Sequence, residues 1–437
     1  MDEKEPYSFI NEKIKERPLY KRKLFRKTVY TIGGAVVFGV IACVTFLLLE
    51  PVISNWLSPE EITKVQFPEE EIAPEKLLTE ENIAQENALN EQEEIGEKVS
   101  QQLEQGAGDG ELALKTYQTI YDQLYKIAME ASKSVVTVTG VSQETDWFQN
   151  PVESINKTSG VVVAKNEAQL YILADANGLP DADSYTVTLQ KGSSAEAQLK
   201  RADPNTGLAV FVVPKENVSE DDWENIPVIG WGNSTSPSIV GRPVVAVGRP
   251  LGQSDSVCYG IVTSNREKIT YADYQYGVLT TDMTGSEKNA SGIIINTSGQ
   301  LLGIITKESS ASASGALLAG FGISDIREML EKLSNGEKRL YLGIHGVEVT
   351  DEIHTKQGLP YGIYVTEVDS GSPAMTSGVL NGDIVTKLGN AEIENNYDYE
   401  KALGSMRAEL TVILKIKRFD GEKYIDIESE IKPEELK

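Results

Sequence analysis

Residues 28–49 carry no charged side chain and are mostly Val, Ile, Leu, Phe, Gly and Ala. About twenty such residues are what a helix needs to cross the hydrocarbon core of a bilayer. Lys21, Arg22, Lys23, Arg26 and Lys27 precede the run and Glu50 follows it. Basic flanks stay in the cytoplasm, so the C-terminal bulk is expected outside. The pattern predicts a cytoplasmic basic tail over 1–27 and a single-pass transmembrane helix over 28–49. A cleaved signal peptide is the rival reading, but the run exceeds the apolar part of a leader and no small-x-small cleavage site follows it. A buried core helix is the other, and the charge flanks argue against it.

The pattern then changes twice. Residues 50–110 are dominated by Glu, Gln and Asn and close on Gly106-Ala107-Gly108-Asp109-Gly110, which predicts a solvated acidic linker. Tyr117, Ile120, Tyr121, Leu124 and Ile127 recur at helical spacing. That stripe fits a helix packed on its own domain, or a self-association surface. From Ser134 onward, short β-rich runs (135–138, 160–163, 170–173, 209–213, 244–247, 292–295, 301–305) alternate with Gly, Asn, Asp and Pro. Many short strands with regular turn signals predict a mainly β architecture, a Greek-key barrel pair or sandwich. A helix over 323–333 ends at Ser334-Asn335-Gly336. Two folded domains are therefore expected, over 111–335 and over 336–437, the second α+β.

Charge and composition narrow the chemistry. Of 437 residues, 41 are Lys or Arg and 66 are Asp or Glu, giving a net charge of -25. Such a chain repels phosphate backbones, so no nucleic-acid partner is expected. Cys43 and Cys258 are the two cysteines, too few for a disulfide framework or a CxxC metal site. His345 and His354 are the two histidines, both in the last hundred residues, so the middle of the chain has no imidazole to move protons. With no acidic cluster of ligand spacing beside them, no metal and no cofactor is expected.

A series of blocks then runs along the chain: Ser134-Val135-Val136, Ser159-Gly160-Val161-Val162, the stretch from Asp203 to Val210, Ala246-Val247-Gly248-Arg249-Pro250-Leu251-Gly252, Gly260-Ile261-Val262, and the block from Thr281-Asp282 to Ile294. Over about 300 residues these blocks, in this order, resemble the HtrA/DegP family of envelope serine proteases. The first resembles the family's opening strand, the second the strand before the catalytic His, the third the segment carrying the Asp and the last the segment that holds the nucleophile. The resemblance implies a trypsin-like double β-barrel followed by a PDZ domain. In that fold a Ser attacks a carbonyl, a His takes its proton and a buried Asp orients the His. Here the His position is Asn177, the Asp position Gly207 and the nucleophile position Ala290. The glycine that turns an oxyanion-hole N–H is replaced by Lys288. Triad members act as a unit, and losing one already forfeits roughly 10⁴-fold or more in rate. The expectation is therefore an inactive homologue. A relocated site using Ser291 or Ser286, with Lys288 as base, remains as the alternative; the plainer reading makes both serines turn residues.

Tyr341-Leu342-Gly343-Ile344 resembles the carboxylate-binding loop of PDZ domains, whose backbone N–H groups cradle a peptide's C-terminus while the peptide joins the sheet edge. Gly362-Ile363-Tyr364-Val365, Gly371-Ser372-Pro373-Ala374 and Gly382-Asp383-Ile384-Val385 continue the likeness. A helix around 399–407 would form the other groove wall, with Leu403 in the pocket. The resemblance implies peptide or protein C-termini as partners, unfolded envelope proteins among them, and a homotrimer as the assembly. A groove that merely completes a sheet and binds nothing is the bland reading. The function expected is that of a membrane-anchored extracytoplasmic pseudoprotease in envelope quality control or regulation. A diverged endopeptidase and a structural spacer are the competing hypotheses.

Overall fold

The computed structural model describes residues 65–67, 110–145, 151–179, 182–190, 192–285, 290–312 and 317–436. Among these, no helix is long and apolar enough to cross a membrane. The apolar run 28–49, the basic tail and most of the acidic linker lie outside the described residues. Where the linker is described, it departs from the expected solvated spacer. Phe67 is buried and stacks on Trp231 at 4.5 Å between ring centroids, and the Val65 N–H donates to Asn335 Oδ1 at 2.9 Å. Burial of the ring, together with hydrogen bonds between the segment and Asn335 and Glu331, offsets the entropy of pinning these residues.

The helix Gly110–Ser132 begins the folded part. Its predicted apolar stripe divides along its length. Ala128 and Ala131 are buried and Leu124 and Ile127 pack beside them, whereas Tyr117 and Ile120 remain 58% and 54% exposed. The helix thus packs on its own domain through its C-terminal half only.

Two closed barrels follow. The first comprises β1 (Val135–Thr145), β2 (Pro151–Lys165), β3 (Gln169–Asp175), β4 (Ser184–Thr188), β5 (Ser194–Ala202) and β6 (Leu208–Pro214), closing in the order β1-β2-β3-β6-β5-β4. Residues 170–174 of β3 and 208–213 of β6 are buried throughout, which explains their unbroken apolar runs. In β5, Ala195 and Ala197 point inward between exposed neighbours, the period-two signature of a half-buried strand. The second barrel comprises β7 (Pro243–Arg249), β8 (Ser256–Tyr271), β9 (Tyr274–Thr284), β10 (Ser291–Asn296), β11 (Leu301–Ile305) and β12 (Leu317–Gly322), in the order β10-β11-β12-β9-β8-β7. The helix Ile323–Ser334 then buries Ile323, Ile326, Met329, Leu330 and Leu333. It ends where expected, with the Asn335 N–H returning to Glu331 O at 3.0 Å.

The C-terminal sheet runs β14 (Ile344–Glu348), β15 (Ile363–Val368), β16 (Ile384–Leu388), β18 (Val412–Phe419), β19 (Tyr424–Ile431), with β17 (Ala391–Glu392) beside β16. β13 (Leu340–Tyr341) pairs with β20 (Glu434–Glu435). The groove-wall helix is Asn396–Gly404 rather than about 399–407. Asn395 accepts the Asp398 N–H on its side chain at 2.9 Å, starting the helix three residues early. One apolar cluster runs from Val161 and Leu173 through Ile293 and Phe321 to Leu342, Ile344 and Leu403, so barrels and PDZ sheet share a continuous core.

Candidate functional site

Two places concentrate chemistry. The first is a cleft of about 510 Å³ lined by Asn156, Thr158, Asp175, Asn177, Arg249, Ala290, Ser291 and Lys307. Asp175, the last residue of β3, caps a single 3₁₀ turn, Ala176–Gly178, by accepting the Asn177 N–H at 2.9 Å. Gly207 precedes β6 at φ +72°, and a Cβ built on it would fall 1.9 Å from Asn177 Nδ2. The two positions that the resemblance gives to imidazole and carboxylate are therefore neighbours. The Asn177 amide fills the space a residue at 207 would need. An amide cannot accept a proton at neutral pH, and a hydrogen at 207 cannot orient it.

Ala290 is buried among the second barrel's apolar side chains while its face lines the cleft. Ser291 is also buried, and its Oγ accepts the Ser159 N–H at 3.0 Å, stitching β10 to β2. That contact gives the hydroxyl a structural role. Ser286 and Lys288 lie outside the described residues. Asp175 lies in the same block as Asn177, and its burial is what the sequence does not reveal. Burial pushes its carboxyl up to about 6, against the Lys307 N–H at 3.1 Å and the Asn177 N–H, which favour the charged form.

The second place is the loop 341–344. Leu342, Gly343 and Ile344 are buried, and Leu403 on the facing helix is fully so. Gly343 sits at φ +84°, and a Cβ there would come within 2.3 Å of Ser372 Cβ, so only glycine lets the loop turn this close. The three successive N–H groups converge as a nest should, and they are engaged. Leu342 and Gly343 each donate to Asp273 Oδ2 at 2.7 Å, and Ile344 donates to Asp273 Oδ1 at 3.1 Å. The Tyr399 hydroxyl adds a fourth bond to Oδ1 at 2.6 Å. Asp273 belongs to the turn between β8 and β9, so a protease-fold hairpin reaches the PDZ loop. Nothing in the sequence pairs residues 69 positions apart, and a lone Asp in a turn is unremarked. The Tyr341 hydroxyl donates to Asp369 at 2.6 Å, and His345 Nε2 lies 2.8 Å from the same carboxylate. His354 stacks on Tyr361, 4.0 Å between centroids.

Comparison with known proteins fits this anatomy. The trypsin-like peptidase domain family matches residues 158–304 and the PDZ domain family residues 341–428. The chain is 31% identical over 264 residues to "Serine protease Do-like HtrB" of Bacillus subtilis (strain 168), covering 56% of each chain. It is 31% identical over 242 residues to "Serine endoprotease DegS" of Haemophilus influenzae, covering 54% of this chain and 66% of the relative. The chain thus spans little more than half the length of the Bacillus relative. Among solved structures, "HtrA-type protease AlgW with decapeptide" superposes with a TM-score of 0.52 at 21% identity, over 71% of this chain and 97% of that one, a likeness of fold alone. A double barrel followed by a PDZ sheet, both domain matches in that order, and relatives of the HtrA type together make this chain a member of the HtrA family.

Proposed function

We propose that this chain is a membrane-anchored, extracytoplasmic pseudoprotease of the HtrA type, and that its PDZ domain takes peptide or protein C-termini in envelope quality control or regulation. The carrying observation is the pairing of Asn177 against Gly207 beside a buried Ala290. An amide, a hydrogen and a methyl stand where proton transfer and acyl chemistry need an imidazole, a carboxylate and a hydroxyl. The anchor rests on the apolar run 28–49 with its basic N-terminal flank.

One observation favours a second reading, a diverged endopeptidase: Ser291 lines the cleft beside Asp175. The Ser159 N–H held by its Oγ argues for structure instead. The full-length protein, treated with a serine-reactive phosphonate and incubated with casein, separates the two. We expect no labelling and no casein turnover above a heat-denatured control, unchanged by Ser291→Ala or Ser286→Ala. Turnover that either substitution abolishes would defeat the pseudoprotease reading. The spacer hypothesis is tested by the same protein's binding of C-terminal peptides.

A further inference from the structure

The β8–β9 hairpin ends in a two-residue tip, Ala272-Asp273, with Asp273 at φ +67° and its side chain enclosed. What encloses it is the peptide groove. Three consecutive N–H groups of the loop and the Tyr399 hydroxyl on the opposite wall all point at one carboxylate. The backbone takes part as well. Asp273 N–H donates to Ile344 O at 2.7 Å, and Gln275 Nε2 donates to Gly346 O at 3.2 Å. The tip therefore lies along β14, the edge strand an incoming peptide would extend. On the far side, Gln275 N–H donates to Glu400 Oε1 at 2.9 Å and Asn396 Nδ2 donates to Gln275 Oε1 at 2.9 Å, so the helix Asn396–Gly404 grips the same segment.

A packing contact alone would not call for this arrangement. Enclosing a carboxylate is costly unless its oxygens are fully hydrogen-bonded. The donors that offset the cost here are those a PDZ loop aims at a terminal carboxylate. Left without an acceptor, the three buried N–H groups would carry their own penalty.

We propose that Asp273 is an internal ligand of the PDZ groove: its carboxylate occupies the place of a peptide's terminal carboxylate, and a free C-terminus binds only by displacing it. The inference rests on the C-terminus-binding role given to the groove above and specifies how that role is regulated. Displacement requires the PDZ domain to lift off the hairpin, because the tip has only two residues and cannot retreat alone.

The test uses the full-length protein with Asp273→Gly and Asp273→Asn. Both residues tolerate positive φ, so the turn survives while the anionic ligand is lost. The probe is a set of fluorescent decapeptides ending in Val, Leu, Phe or Ala with a free carboxylate, each paired with its C-terminal amide. Fluorescence anisotropy reads binding and hydrogen exchange reads the amides of 342–344. We expect Asp273→Gly to bind free-acid peptides at least about 10-fold more tightly than the wild type, amides to bind neither protein, and the three amides to exchange about 10-fold faster in both variants. Unchanged exchange in both variants overturns the proposal, whatever the peptides do. Equal peptide affinity in all three proteins also overturns it, yet leaves the C-terminus-binding role standing. Faster exchange with no peptide bound by any protein sinks that role and the competition together, leaving the groove as a docking socket. Amides binding as well as acids would show that the carboxylate site is not what the peptides use.

Discussion

Asn177 and Gly207 cannot change independently. At φ +72°, residue 207 disfavours any side chain, and a methyl would collide with the Asn177 amide. Gly207→Ala should cost about 1–2 kcal/mol in urea denaturation. Adding Asn177→Ala should recover about 0.5 kcal/mol or more, since residues in contact couple. Strict additivity would mean that the two side chains do not meet. At this scale the sequence was partly legible. Asn177, Gly207 and Ala290 each sit inside a block whose order and spacing assign them a place, and the structure sets Asn177 against Gly207 in the cleft that Ala290 lines. The significance of Asp175 and Asp273 could not be read, because it lies in burial and partners, and neither leaves a local mark. For Asp175 the partners are Asn177 and the N–H of Lys307, 132 residues away; for Asp273 they are three N–H groups and a hydroxyl supplied by another domain.

At the scale of elements, one residue of the segment connecting barrels and PDZ sheet ties that segment to both barrels. Arg339 follows the helix Ile323–Ser334, forms an ion pair with Asp203 just before β6, and lays its guanidinium 3.6 Å above the Tyr274 ring at the root of the hairpin. Both charged side chains are buried, and Asp203 also accepts the Thr206 N–H at 2.9 Å and hydroxyl at 2.7 Å. Removing one member of a buried pair strands the other, so Arg339→Ala should destabilise the protein by about 3 kcal/mol. Arg339→Lys should recover little, because an ammonium cannot both stack and pair in that geometry. Denaturant midpoints of the two variants check this. Elements themselves were legible where pattern decides: strand runs, the closing helix and its Gly336 stop all appear. The helix Gly110–Ser132 was legible as a helix but not in its packing, because period alone does not say which turns find a partner. The groove-wall helix began early because a cap, not the apolar pattern, sets its start.

Across the whole molecule, the docking of the PDZ domain is linked to pH through Glu400. Burial against the hairpin raises its carboxyl from the usual 4.5 to about 7, opposed by the Gln275 N–H, Arg339 and Lys268 and assisted by Glu328. The docked state therefore holds a proton that the undocked or unfolded state has released. That stabilisation is complete below about 4.5 and is lost as pH rises through about 7. The full swing is on the order of 3 kcal/mol. Glu400→Gln keeps an oxygen for the Gln275 N–H but cannot ionise. Between pH 5 and pH 8 the wild type should lose stability relative to this variant, read as a widening difference in urea midpoint; a constant difference would remove Glu400 from the linkage. The domain order was legible from the chain, whereas this coupling was not, since it exists only once two domains touch. A groove that fills itself also sets a threshold. If the domain stands open about 1% of the time, any terminus is bound about 100-fold more weakly than the bare pocket allows. On the proposed role, sparse chain ends would then pass unnoticed, and binding would set in only when free C-termini accumulate.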